Sequence, residues 1–277
     1  MVLEAILNPA EHLERKPWMI FIIGFLYASV AIVVSLGMFR AQASLVMVFF
    51  IVFASIHLVY YLVKSEELKD INIPSEVSIL KEHGKTISIF LFLFLGVLCA
   101  FVLWGVMLPE PAANDLFKVQ IQTINGINAA SGKPISATFL PFIFFNNIKV
   151  LFFCILFSFI FGAGAIFILI WNASVGGAFV ANFIRTKLLY LNPLHSMVLG
   201  FIRYLPHGIL EMAAYFVGGL AGGIISVAVI RHDFAPRKFF KIMFDVSDLL
   251  LIAIILLVIG ALVEVFVTPA LVAMFSF

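Results

Sequence analysis

The sequence predicts an all-α, polytopic transmembrane bundle, and three observations predict it. The chain of 277 residues is 64% hydrophobic and only 12% charged, where soluble domains run near 45–50% apolar and about 25% charged. Its apolar residues are gathered into long blocks, and several reach the roughly 20 residues that a helix needs to cross about 30 Å of hydrocarbon. The blocks are also continuous, as in Ile89–Leu103 and Leu249–Val263. A transmembrane β-barrel would instead alternate apolar and polar residues over segments of about ten.

Residues 1–17 predict an amphipathic segment, with Leu3, Ile6, Leu7 and Leu13 against the headgroups and Pro17 ahead of the first span. An N-terminus this rich in charge, with Glu4, Glu11, Glu14, Arg15 and Lys16, does not read as a cleaved signal. Residues 18–108 then form a three-span part. Its spans run from Trp18 to Phe39, from Ala43 to Val63 after a turn at Arg40, and from Ser88 to Leu108 after a polar stretch at 64–87. Residues 109–147 make the longest connection. There Phe117, Ile121 and Ile124 recur at i, i+4 and i+7 and predict an interfacial helix, while Asn125–Pro134, with Gly126, Gly132 and Pro134, predicts a loop.

The remaining part, 148–277, starts with a fourth span, Ile148–Trp171. The stretch 172–205 is harder, because Gly176, Gly177 and Pro193 divide it into two short apolar halves. It predicts either one discontinuous crossing or a re-entrant segment. A span from Pro206 to Ile230, a polar stretch at 231–245 and a last span from Val246 to Val267, stopping at Pro269, complete the chain. Lys and Arg concentrate on cytoplasmic loops. Residues 64–87 carry Lys64, Lys69, Lys81 and Lys85, and residues 231–245 carry Arg231, Arg237, Lys238 and Lys241. Placing both stretches inside requires 172–205 to cross once. That favours seven crossings over six, in a cell membrane, with a cytoplasmic N-terminus and an external 109–147.

Polar groups are costly inside a bilayer, so they mark the candidate sites. Asn146 and Asn147 stand where the fourth span begins and Asn172 where it ends; His207 and Glu211 share a helix face, and Glu264 lies near the end of the last span. With seven crossings Asn146, Asn147, His207, Glu211 and Glu264 meet towards one side of the membrane, as a polar pocket for an ion, headgroup or partner. Each also has a plain structural reading. The asparagines would cap the fourth span, and Glu211 would neutralise the positive helix end beginning at Pro206. Glu264, at the unfavourable negative end of a helix, demands a partner or a proton. Gly218, Gly219, Gly222 and Gly223 make two overlapping small-residue patterns, and Gly162 and Gly164 a third small-residue site. They serve tight packing within one chain or a homodimer seam.

Several functions lose support. No basic run suits nucleic acid, and Cys99 and Cys154 lie in apolar blocks as core thiols. No metal spacing, phosphate loop or other cofactor motif occurs, and Ser174 and Ser226 have no base at a recognised spacing, so no enzyme and no catalytic residue is expected.

Certain runs resemble the stage II sporulation protein M family. They are Phe145-Asn146-Asn147-Ile148-Lys149-Val150, Gly162-Ala163-Gly164, Trp171-Asn172-Ala173, and Leu205-Pro206-His207-Gly208-Ile209-Leu210-Glu211-Met212-Ala213 with the glycines that follow. The closing Glu264-Val265-Phe266-Val267-Thr268-Pro269 is similar too, and the Asn8-Pro9 opening looks like an archaeal branch. The resemblance covers about 140–270 and implies a multi-pass protein without hydrolase activity. Bacterial members are thought to anchor peptidoglycan hydrolases during sporulation, and in a host without peptidoglycan only the architecture carries over. Ala173 stands where the family usually has glycine. Two functions are therefore expected in order: a scaffold that recruits membrane partners, and a transporter or channel for a small ion or solute around His207, Glu211 and Glu264. Lipid handling ranks third.

Overall fold

The computed structural model describes residues 18–72, 76–131, 140–161, 165–230 and 236–275. The amphipathic segment expected at 1–17 lies outside them, as do Gly162, Gly164 and the Gly132–Pro134 part of the expected loop. The described residues are almost entirely helical. The helices are α1 (Trp18–Met38), α2 (Ala43–Asn72), α3 (Glu76–Met107), α4 (Glu110–Leu116), α5 (Lys118–Ser131), α6 (Leu140–Phe161), α7 (Ala165–Lys187), α8 (Pro193–Ile230), α9 (Pro236–Leu262) and α10 (Thr268–Met274). A 3₁₀ turn at Arg40–Gln42 joins α1 to α2, and a π-helical turn at Val263–Val267 joins α9 to α10.

Six of these segments are long and apolar enough to cross a membrane: Trp18–Met38, Ile87–Met107, Leu140–Ile160, Ala165–Lys187, Pro193–Ile230 and Ile242–Met274. A seventh apolar stretch, Arg40–Ile56, opens α2. Contacts fix their directions. Arg40 Nε meets Asp115 Oδ2 at 2.7 Å, which sets the α1–α2 turn beside α4. Arg185 Nη2 donates to the Leu108 carbonyl at 2.7 Å, so α3 and α7 finish at that same end. Gly218 and Gly222 of α8 lie against Leu151 and Ile155 of α6, so these two run in parallel. Gly176 meets Tyr204, and Gly200 meets Ile184, so α7 opposes α8. His195 Nε2 and the Phe275 carbonyl, 2.6 Å apart, set the start of α8 beside the end of α10. The six candidate spans and the apolar start of α2 therefore alternate in direction along the chain.

Four expectations need correction. The stretch 172–205 is neither one broken crossing nor re-entrant: its first part completes α7, which runs unbroken from Ala165 to Lys187, a turn follows at 188–192, and the rest opens α8. Gly176 and Gly177 are not breakers. A side chain at Gly177 would meet Phe101 Cβ at 2.5 Å, so the pair admits close neighbours, as small residues do where lipid supplies no hydrophobic drive. Pro206 lies inside α8, a 38-residue helix, and does not begin it. The fourth span starts at Leu140 rather than Ile148, which moves Asn146 and Asn147 from the cap into the helix. The last helix passes Pro269. Proline has no N–H to give the carbonyl four residues back, and the backbone widens into the π turn just before it.

Two polar stretches also prove helical. Residues 64–72 extend α2, and 76–87 extend α3. Asn125–Ser131 continues α5 rather than forming a loop. That helix exists as its periodicity predicts, with Phe117 buried at its start and Ile121 and Ile124 packed on the core. Cys154 is buried and Cys99 half-buried, both as free thiols.

The core runs through α1, α2, α3, α7 and α8, from Ile20, Met47 and Phe94 to Phe216 and Leu220. A Cβ on Gly222 would clash with the rigid Ile155 carbonyl, whereas one on Gly37 would meet nothing within 4 Å. Gly222→Leu is expected to destabilise the protein by about 1–3 kcal/mol or more through overpacking, and Gly37→Ala to leave it unchanged, as read by thermal unfolding in micelles. Cysteines at the exposed positions Asn114 and Thr186 should label from one face of the membrane, and Arg237→Cys from the other; labelling of all three from one face would rule out the alternating order.

Candidate functional site

Helix α8 presents a polar stripe. Tyr204, His207, Glu211 and Tyr215 follow at spacings of three and four, which puts them on one face. That face looks onto α6 and onto the α9–α10 junction. Asn147 of α6 donates through Nδ2 to Glu211 Oε1 at 2.5 Å, and it accepts from the Tyr215 hydroxyl through Oδ1 at 3.0 Å. Tyr215 is 1% exposed and Asn147 6%. The chain Tyr215–Asn147–Glu211 thus gives each member a partner and fixes the turn of the carboxylate. On the other side Gly260 lets α9 approach Glu211: a Cβ there would lie 3.4 Å from Glu211 Cγ. Glu264, in the π turn, comes four residues after Gly260, on the side of the last span that α9 turns towards Glu211. One turn farther on, His207 Nδ1 lies 3.3 Å from Thr268 Oγ1, with Tyr204 edge-on to the imidazole at 5.7 Å.

The plain structural account of Glu211 fails on this geometry. The residue stands eighteen positions beyond the first residue of α8, about 27 Å along the axis, far outside the first turn where the dipole acts. Glu264 likewise is not at a helix end, because α10 carries the helix on to Met274.

Four of the expected residues therefore meet: Asn147, His207, Glu211 and Glu264. Two do not. Asn146 is exposed on the other side of α6, and Asn172 lies within α7, where Nδ2 donates to the Ile168 carbonyl at 2.8 Å. The glycines of α8 pack inside the chain, with Gly218 on Leu151, Gly219 on Ala165 and Ser158, and Gly222 on Ile155. Gly223 is buried as well. On that face α6 and α7 cover Gly218, Gly219 and Gly222. Tyr204, Tyr215 and Thr268 join the cluster unforeseen, though helical spacing from His207, Glu211 and Glu264 points to each of them. A second buried polar centre was also unforeseen: Gln120 of α5, 0% exposed, donates to the Ser44 carbonyl and to Ser174 Oγ, and its Oε1 has no partner among the described residues. Among the described residues no three His, Cys, Asp or Glu side chains converge as metal ligands.

Fold and site together define a multi-pass helical membrane protein with a polar cluster buried between its C-terminal helices. A sequence profile described as stage II sporulation protein M matches residues 43–269, and the chain belongs to that family. It is also 33% identical over 132 residues to an uncharacterised protein of the archaeon Methanocaldococcus jannaschii, a match covering 47% of this chain and 70% of the relative, which agrees with the archaeal branch. No solved structure matches.

The Tyr215 hydroxyl is the donor that satisfies buried Asn147 Oδ1. Tyr215→Phe should cost about 1–3 kcal/mol, since a buried acceptor is left without a donor. The exposed Tyr190→Phe should cost nothing measurable by the same unfolding assay.

Proposed function

We propose that this protein is a non-enzymatic transporter or channel that binds a small cation within the membrane, at the cluster of Asn147, Glu211 and Glu264. One observation carries the reading. Glu211 is held by Asn147 across α6 and α8, and Gly260 brings against it the segment that carries a second carboxylate, Glu264, in the following π turn. Two neighbouring carboxyl groups in a low-dielectric site repel when charged, and a cation between them relieves both the repulsion and the cost of burial. The π turn adds support, because such turns occur often at functional sites, and Glu264 lies in it. The Lys and Arg bias supports a cytoplasmic N-terminus in a cell membrane.

The scaffold reading stands second. It rests on family membership and on α6, which turns Phe142, Phe145, Phe152 and Phe153 outward, a face fitted to lipid or to a partner helix. It draws no support from the glycines, which are taken up inside the chain.

Proteoliposomes loaded with sodium or with a pH dye separate the two. Cation-dependent flux is expected from the unaltered chain, a fall to the protein-free background with Glu211→Gln, and full flux with Asn146→Ala, whose residue lies outside the cluster. No flux from the folded chain, or equal flux with Glu211→Gln, would overturn the transport reading and leave the scaffold.

A further inference from the structure

We propose that the corner between the end of α7 and the first half of α8 binds the phosphate of an anionic phospholipid, held by Lys187 and Arg203, which both lie against Phe183. Arg203 Cζ lies 5.1 Å from the Phe183 ring centroid and 5.5 Å from that of Phe179, and Lys187 Nζ lies 5.8 Å from Phe183. Two like charges thus stand over one ring. Among the described residues neither has a carboxylate within ion-pair distance. Both are half-buried. Cation–π contact with the rings compensates part of the desolvation, but it does not cancel the repulsion between the two cations, and an anion between them does.

The surroundings say what that anion belongs to. Just beyond Lys187 the α7–α8 turn exposes Leu189, Tyr190 and Leu194, at 74, 82 and 73%. Apolar and tyrosine side chains this bare belong at the membrane interface, where tyrosine favours the headgroup level. Lys187 closes α7 beside this turn. Arg203 lies ten residues into α8, and its guanidinium reaches the rings of Phe179 and Phe183, as a long basic side chain does when it snorkels outward. The two charges therefore lie just inside the exposed turn, at the level a lipid phosphate reaches. A phosphate free in solution would meet the same charges but gain nothing from the exposed turn.

The lipid site is separate from the cation cluster. Its geometry uses neither Glu211 nor Glu264, so it stands whether or not cations move.

The test reconstitutes the full chain in nanodiscs of neutral phosphatidylcholine, with rising fractions of phosphatidylglycerol, and follows thermal unfolding and lipid retention by native mass spectrometry. Phosphatidylglycerol should raise the unfolding temperature and remain bound. Lys187→Gln and Arg203→Gln should each weaken retention about fivefold, one interfacial charge apiece. Lys118→Gln, an exposed cation of the same end, should leave it unchanged. Should Arg203→Gln fail to fold, the more peripheral Lys187→Gln decides alone. Equal retention in Lys187→Gln and the unaltered chain would overturn the proposal. So would inorganic phosphate in all-phosphatidylcholine discs matching the effect of phosphatidylglycerol, which would make the ligand a soluble anion.

Discussion

The polar cluster between the C-terminal helices is arranged under one constraint: inside hydrocarbon there is no water to satisfy a donor or an acceptor, so a buried group needs its partner in the protein. The bond from Asn147 to Glu211 is where the constraint bears hardest. It joins α6 to α8, and Tyr215 completes it from one turn farther along. The glycines of α8 belong to the same solution. By admitting α6 at Leu151 and Ile155 they bring the Asn147 side chain within reach of the carboxylate. Packing and polar pairing are therefore one feature seen at two depths of the same helix pair.

The α7–α8 pair shows how the remaining polar groups are handled. Asn172 turns back on the Ile168 carbonyl and Ser174 on the Trp171 carbonyl, local bonds that let polar residues ride within a helix. Gln120 reaches from α5 to the start of α2 and to α7, tying the connecting segment to the bundle. Arg40 and Asp115 hold the same segment from the solvent side, in an exposed pair that adds little stability but fixes position.

Much of the fold was legible because lipid imposes a crude and reliable code: length and hydropathy mark the spans. Trp18–Met38 emerges almost as read. The errors gather at Gly176-Gly177, Pro206 and Pro269, residues that break helices in water. In a bilayer an unmade backbone bond has no solvent to turn to, so helices persist through them. The site was legible in part. His207 and Glu211 announce themselves by spacing and Glu264 by its charge, but the sequence cannot rank Asn147 over Asn146. One residue of difference turns a side chain by about 100° around the helix, and only the position of α8 decides which of the two is buried.

The π turn before α10 has a consequence for the neighbouring contacts. Such a turn amounts to one extra residue inserted in an otherwise regular helix. A chain one residue shorter at this point would keep its helix, but everything beyond would rotate by about 100° and slide back by about 1.5 Å. Thr268 would swing away from His207, and the Phe275 carbonyl from His195, the two contacts that now clasp the last helix to the first half of α8. The wide turn thus acts as the phase-setter of the C-terminal hairpin: it keeps two faces, out of step along the sequence, in step in space.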